Sequence, residues 1–438
     1  MGERSSAGTP RDLLRFATAG SVDDGKSTLV GRLLYDTKSV LADQIEAVQR
    51  ASVDKGLATP DLSLLVDGLR AEREQGITID VAYRYFSTPR REFVLADTPG
   101  HVQYTRNTVT GASTAELAVL LVDARNGIVE QTRRHAAVLA LLRVPRLVLA
   151  INKIDLVDHD EAVLTAIAKD FAGLARSLGF ADEAVVTIPV SALAGDNVVE
   201  RSERTPWYEG PTLLGHLESV PVAGPEVRAP FRMAVQYVIR PRSNDRGRED
   251  LHDYRGYAGQ VAAGTVAPGD EVVVLPSGRR TTVAGVETAD GPLEAAGAGR
   301  SVTVLLADDI DLSRGDLLAA AGDPPRVTNE LETTLCWLAD KPLRPGARLL
   351  LKHGTRTTQV LVGAVTERLD TETLRFGPPP EQLQINDIAH VALRTADPLP
   401  VDDYAAVRAT GSFLLIDPPT GTTLAAGLVG WPLADALT

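Results

Sequence analysis

The sequence predicts an α/β domain, a parallel-rich sheet with flanking helices, followed by two β-rich domains. Three observations carry that reading. Apolar strand-like runs alternate with longer helical stretches from Phe16 to about Val220, a Pro- and Gly-rich segment interrupts the pattern near 221–230, and only short β-branched runs follow. A chain of 438 residues is too long for one ordinary core, and a prior of about 100 to 200 residues per domain gives two to four of them.

The elements justify this in order. RFATAG leads into a helical stretch from Lys26; EFVLAD and ELAVLLVDA are apolar runs; RHAAVLALLR precedes RLVLAINK; AVVTIPVSA closes the series. Strands alternating with helices imply βαβ units around a parallel sheet. DQIEAVQRASVDKG at 43–56 reads as a helical insertion lying on the surface. Beyond PVAGPEVRAP, the runs RMAVQYVI, GQVAAGTV, DEVVVLPSG, RRTTVAGVE and SVTVLLAD are separated by Gly, Pro, Asp or Ser, the pattern of a small sandwich or barrel. GDPPR at 322–326 marks a second boundary, and ARLLLKHGTRTTQVLVGAV, DIAHVALRTADPLPV and SFLLIDPPTGTTLAAGLV repeat the β style. The expected domains are therefore 1–222, 228–322 and 326–438.

Composition removes several function classes. The net charge of −13, from 45 Lys+Arg against 58 Asp+Glu, argues against broad affinity for nucleic acid or anionic lipid, which needs a basic face. Arg240, Arg242, Arg246, Arg248 and Arg255 are interleaved with Asp245, Glu249, Asp250 and Asp253, so a solvated, self-paired loop is expected there. The single cysteine, Cys336, cannot form an internal disulfide and reads as a small buried apolar residue, and the seven histidines are scattered. The N-terminus lacks the apolar core of a signal peptide and no run reaches the roughly 18 apolar residues of a membrane span. A soluble cytoplasmic protein is expected.

Chemistry concentrates in four short motifs. Gly20, Ser21, Val22, Asp23, Asp24, Gly25, Lys26, Ser27 and Thr28 spell GSVDDGKST, a match to G-x-x-x-x-G-K-[ST] between a strand and a helix. There, backbone N–H groups and a helix N-terminus meet phosphates. Lys26 is expected to reach the β and γ phosphates, and the Ser27 hydroxyl to ligate Mg²⁺. DTPG, Asp97 to Gly100, ends EFVLAD, which puts Asp97 at a strand's carboxyl end as a carboxylate acting on Mg²⁺ through water. NKID, with Asn152, Lys153 and Asp155, follows RLVLAI; an Asp carboxylate accepts both the N1 and N2 hydrogens of guanine, which adenine cannot present. Ser191, Ala192 and Leu193 after AVVTIPV offer N–H groups to the guanine O6. In this order after four strands, the motifs point to a GTPase.

GSVDDGKST, GITID, DTPGH, NKID and SAL together resemble the translational GTPase class to which elongation factor Tu belongs. The resemblance covers the whole chain and implies a P-loop GTPase domain followed by two β-barrel domains. It further implies Thr78 of GITID as a second Mg²⁺ ligand, His101 as the residue positioning the attacking water, and Val22 and Ile77 as an apolar pair flanking that histidine. Within the class, DLSLLVDGLRAEREQGITIDVAYRYFST, EFVLADTPGHVQYTRNTVTGASTAELAVLLVDARNG and the double-aspartate loop resemble the GTPase subunit of bacterial sulfate adenylyltransferase. Elongation factors usually carry VDHGK where this chain has VDDGK, and they lack the AYRYF ending. Thr108 stands where that family usually has Met, and RSNDRGREDLHDYRGYAG is longer than its usual loop.

What this resemblance implies is a partner: a smaller catalytic subunit that turns ATP and sulfate into adenosine 5′-phosphosulfate and pyrophosphate, driven by GTP hydrolysis here. The 438 residues hold one phosphate-loop match, so no attached adenylylsulfate kinase is expected within them. An elongation-factor-like GTPase binding aminoacyl-tRNA is the alternative. The adjacent acids Asp23 and Asp24 are expected not to touch phosphate: Asp23 to bond backbone or a cation, Asp24 to face the switch and its water network.

Overall fold

The computed structural model describes residues 12–54, 60–66, 81–98, 105–222, 229–241, 254–370 and 373–433. The chain divides into two compact units, the first made chiefly of the residues up to 222 and the second of 223–370 and 376–432, and both barrels belong to the second.

In the first unit, β1 (Asp12–Ala19), β2 (Ala82–Ser87), β3 (Arg91–Asp97), β4 (Leu117–Asp123), β5 (Leu147–Asn152) and β6 (Val185–Pro189) form one sheet in the order β2-β3-β1-β4-β5-β6. Only the β2–β3 pair is antiparallel. Every residue of β4 and β5 is buried, which explains their unbroken apolar runs: a parallel strand covered on both faces has no reason to alternate. The core gathers Leu14, Phe16, Leu29, Leu33, Phe93, Leu95, Leu121 and Val148, each contributing about 1.5–3 kcal/mol on full burial.

The helices are α1 (Lys26–Asp36), α2 (Ala42–Asp54), α3 (Thr105–Ala112), α4 (Glu130–Leu141), α5 (Glu161–Ser177) and α6 (Leu213–Ser219). In α5, Asp160 caps the first turn by accepting from the Ala162 amide at 2.9 Å, and Leu164, Ile167, Phe171 and Leu174 form the buried stripe. The insertion read at 43–56 is α2, largely exposed, with Val48 and Ser52 its buried residues. On α1, Gly31 lies so near the backbone of Leu62 that a Cβ would sit 2.0 Å from the Leu62 carbonyl oxygen. No other residue fits there without moving that segment. Thr108 on α3 is buried, and its hydroxyl makes no hydrogen bond among the described residues, consistent with a packing change from Met.

The second unit resolves the choice between sandwich and barrel. β7 (Arg232–Ala234), β8 (Gly256–Ala263), β9 (Glu271–Leu275), β10 (Arg279–Thr288), β11 (Ser301–Leu306) and β12 (Leu317–Ala320) run β9-β12-β7-β8-β11-β10, and β10 pairs back with β9. β13 (Arg326–Trp337), β14 (Arg348–His353), β15 (Arg356–Asp370), β16 (Ile388–Val401), β17 (Ser412–Ile416) and β18 (Thr423–Val429) likewise run β14-β17-β18-β13-β16-β15, closed by β14–β15. Both are closed six-stranded antiparallel barrels, a form that leaves no long strand edge unpaired. Cys336 is buried in β13, and burial pushes its thiol up to about 12. Arg255 pairs with Asp309 and Asp311, while the acids of its own loop lie outside the described residues.

Candidate functional site

The carboxyl ends of β1, β3, β4 and β5 deliver side chains to one end of the sheet, where ligands of open α/β sheets bind. Register sets the neighbours: Thr18 lies beside Asp97, and Asp123 beside Asn152. The Thr18 hydroxyl donates to Asp97 Oδ1 at 2.7 Å, and the Thr98 hydroxyl donates to the Thr18 carbonyl at 2.6 Å. Asp97 is thereby fixed at the end of β3, fully buried.

After β1 the chain turns through Gly20 to Gly25 into α1. Asp23 and Gly25 have φ of 68° and 91°, a left-handed backbone that glycine adopts freely and Asp tolerates better than most residues. Gly25 is also sterically required, since a Cβ there would lie 2.4 Å from Asn152 Nδ2.

Three side chains hold the carbonyls of this loop. Asn152 Nδ2 donates to the Asp24 carbonyl at 2.7 Å, Lys153 Nζ donates to the Asp23 carbonyl, and Lys26 Nζ donates to the carbonyls of Gly20 and Ser21 at 3.1 and 3.4 Å. In each peptide the N–H points opposite its C=O. Anchoring the Asp24 carbonyl on Asn152 therefore turns the Gly25 amide away from Asn152, at the start of α1, whose first-turn amides have no partner within the helix. That is an anion cradle.

The paired acids now have separate accounts. Asp24 folds onto its own loop, where its Oδ2 accepts from the Ser21 amide at 2.6 Å and the residue is buried; the switch it is expected to face lies outside the described residues. Burial raises its carboxyl above the usual range, against the Ser21 amide and Lys26, which favour the anion. Asp23 is exposed, and it is its carbonyl that the fold uses. Lys26 is buried, and desolvation lowers its ammonium from the ordinary value, with Asp97, Asp24 and Asp23 acting in the opposite sense. A desolvated ammonium held, among the described residues, by two backbone carbonyls is well suited to receive phosphate oxygens. Ser27 and Thr28 are half-buried in the first turn of α1, and Val22 is exposed.

Asn152 has a second task. Its Oδ1 accepts from the Ala192 amide at 2.9 Å, so one buried side chain ties the phosphate-type loop to the loop after β6. Lys153, at φ 63°, also pairs with Asp123 Oδ2 at 2.9 Å. Burial opposes ionisation of Asp123, but hydrogen bonds from Arg125 and Lys153 outweigh it and hold the carboxyl well below the usual range. Asp155 is half-buried in the short turn Ile154–Val157. Ser191 and Ala192 are buried while Leu193 is exposed. Thr78, Ile77, Gly100 and His101 lie outside the described residues.

Motif reading missed Thr18, Asp123 and Arg32. Asp123 carried a signal, because it ends an apolar run as Asp97 and Asn152 do. Arg32, on α1, donates to the carbonyls of Ala192 and Leu193, contacts no sequence pattern announces.

Comparison with known proteins adds kinship to this geometry. Residues 11–237 match the elongation factor Tu GTP binding domain, and residues 330–430 match the GTP-eEF1A C-terminal domain-like family. The chain is 53% identical over 418 residues to the bifunctional enzyme CysN/CysC of Mycobacterium tuberculosis (strain CDC 1551 / Oshkosh), covering 95% of this chain and 67% of that protein. It is 52% identical over 421 residues to sulfate adenylyltransferase subunit 1 of Methylorubrum populi, covering 96% and 87%. Against the protein of the same name in Cellvibrio japonicus the identity is 48% over 421 residues, with coverage of 96% and 87%.

Proposed function

Since the chain belongs to the sulfate adenylyltransferase subunit 1 family of elongation factor Tu-type GTP-binding proteins, we propose that it hydrolyses GTP to drive a partner subunit's adenylyl transfer. That transfer joins ATP and sulfate into adenosine 5′-phosphosulfate and releases pyrophosphate. The observation that supports the nucleotide-binding half is Asn152, whose side chain bonds both the Asp24 carbonyl and the Ala192 amide and so ties the two loops together.

In this reading Gly20 to Thr28 receive the phosphates, with Lys26 neutralising the β and γ oxygens. Asn152, Lys153 and Asp155 take the base, and the loop of Ser191, Ala192 and Leu193 its O6 through the Leu193 amide, because the Ser191 and Ala192 amides are bonded to the Asp196 carbonyl and to Asn152 Oδ1. Mg²⁺, when bound, offsets charge on the β and γ oxygens, and Ser27, Thr78 and, through water, Asp97 would hold it. The Thr18 bond supports that role for Asp97, because it fixes the carboxylate at the strand end. His101 orients the attacking water, and Gly100 lets the chain approach the γ-phosphate. Hydrolysis of this kind asks for position and charge rather than covalent chemistry. The partner is the small catalytic subunit, in a cytoplasmic complex; among the described residues no helix is long and apolar enough to cross a membrane.

Exchanging Asp155 for Asn tests the base assignment. A carboxamide donates one hydrogen and accepts another, which suits xanthine and leaves a guanine N–H opposed. Asp155→Asn should weaken GTP binding about 100-fold, the equivalent of roughly 3 kcal/mol for a lost charged bond pair, and gain XTP binding. Unchanged GTP affinity would remove Asp155 from the site.

A further inference from the structure

Arg32 stands on α1 away from its buried residues Leu29, Val30, Leu33 and Leu34. Its guanidinium is forked across the loop after β6: Nε donates to the Ala192 carbonyl at 3.1 Å and Nη2 to the Leu193 carbonyl at 2.6 Å. Nη1 lies 3.5 Å from Asp36 Oδ1, one turn further along α1, which holds the plane of the fork. The helix that begins at the phosphate loop thus also grips the base loop.

The amides of that loop are accounted for. Ser191 N–H goes to the Asp196 carbonyl at 3.2 Å, Ala192 N–H to Asn152 Oδ1 at 2.9 Å, Ala194 N–H to Ser191 Oγ at 3.2 Å, and Gly195 N–H to the Ser191 carbonyl at 2.7 Å. Leu193 N–H is the one amide of this series with no hydrogen bond among the described residues. It shares a peptide plane with the Ala192 carbonyl, so drawing that carbonyl onto Arg32 points the Leu193 N–H the opposite way, off α1.

We propose that Arg32 is a positioning residue for base recognition, fixing the Leu193 N–H as the donor to the 6-oxo group of a guanine nucleotide. This rests on the guanine-nucleotide reading above. Arg32 touches no nucleotide in this account; it acts through the loop. Its contribution is therefore confined to bases bearing a 6-oxo group.

The test is competition against a fluorescent GDP on the full chain, with three probes: GDP, inosine diphosphate, which keeps the 6-oxo group, and 2-aminopurine riboside diphosphate, which lacks it. Arg32→Met keeps the aliphatic stem and should weaken GDP and inosine diphosphate about tenfold while leaving 2-aminopurine riboside diphosphate unchanged. Arg32→Lys, able to reach only one carbonyl well, should lose about threefold on the two 6-oxo ligands and serves if the Met variant does not fold. Equal weakening of all three probes, or none, overturns the proposal, as does full selectivity in the Lys variant. Absence of guanine-nucleotide binding by the unaltered chain would instead defeat the underlying reading, and the Arg32 assignment with it.

Discussion

Asn152 does the work of two residues. Its amide nitrogen and oxygen face opposite loops, and it is buried where neither bond can be replaced by water. Asn152→Ala should lower guanine-nucleotide affinity about 100-fold, two hydrogen bonds at roughly 1–1.5 kcal/mol each, measured by titration with GDP. An affinity within twofold of the parent would mean that the loops hold each other without it. This residue was legible in the sequence because its motif follows an apolar strand. Arg32 and Thr18 were not, since a helix arginine and a strand threonine carry no pattern until register and packing bring Leu193 and Asp97 beside them. The acidic pair was half legible. The backbone bonding of the loop was legible in outline, but the Asp24 bond to the Ser21 amide goes with the left-handed turn at Asp23, which local sequence does not dictate.

At the scale of elements, one ion pair joins the two barrels. Arg232 on β7 is 1% exposed and donates through Nε and Nη2 to the two carboxylate oxygens of Asp402 at 2.9 and 3.0 Å. The Thr410 hydroxyl completes the acceptor side by donating to Asp402 Oδ2 at 2.5 Å. Removing one partner strands the other charge in a buried place, so Arg232→Met should cost about 3–5 kcal/mol in chemical denaturation, and Arg232→Met with Asp402→Leu should recover much of that loss. A loss below about 1 kcal/mol for the single change would mean that the pair is solvated in solution. The strands themselves were legible from β-branched runs between turn residues. What closes them was not: the partners of this ion pair are 170 residues apart, and barrel and sandwich share the same alternation, so only the pairing of β9 with β10 and of β14 with β15 decides between them.

At the scale of the whole molecule, the sequence motifs and the sheet order tell the same story from different ends. Four motifs fall at strand ends because an open parallel-rich sheet gathers its carboxyl ends in one place. The two barrels carry none of those motifs, which fits a division in which nucleotide chemistry sits in the first unit and the second supplies structure for coupling. Ordering of a switch by the γ-phosphate is the established kind of element through which such coupling operates.

The most direct test of that coupling is the GTP hydrolysis rate of the full chain, alone and with the proposed adenylyl-transferring partner subunit, with ATP and sulfate added singly and together, and with pyrophosphate release followed in parallel. The account predicts acceleration only when partner, ATP and sulfate are all present, with pyrophosphate released in step. Hydrolysis indifferent to those three, but stimulated by ribosomes and aminoacyl-tRNA, would contradict it.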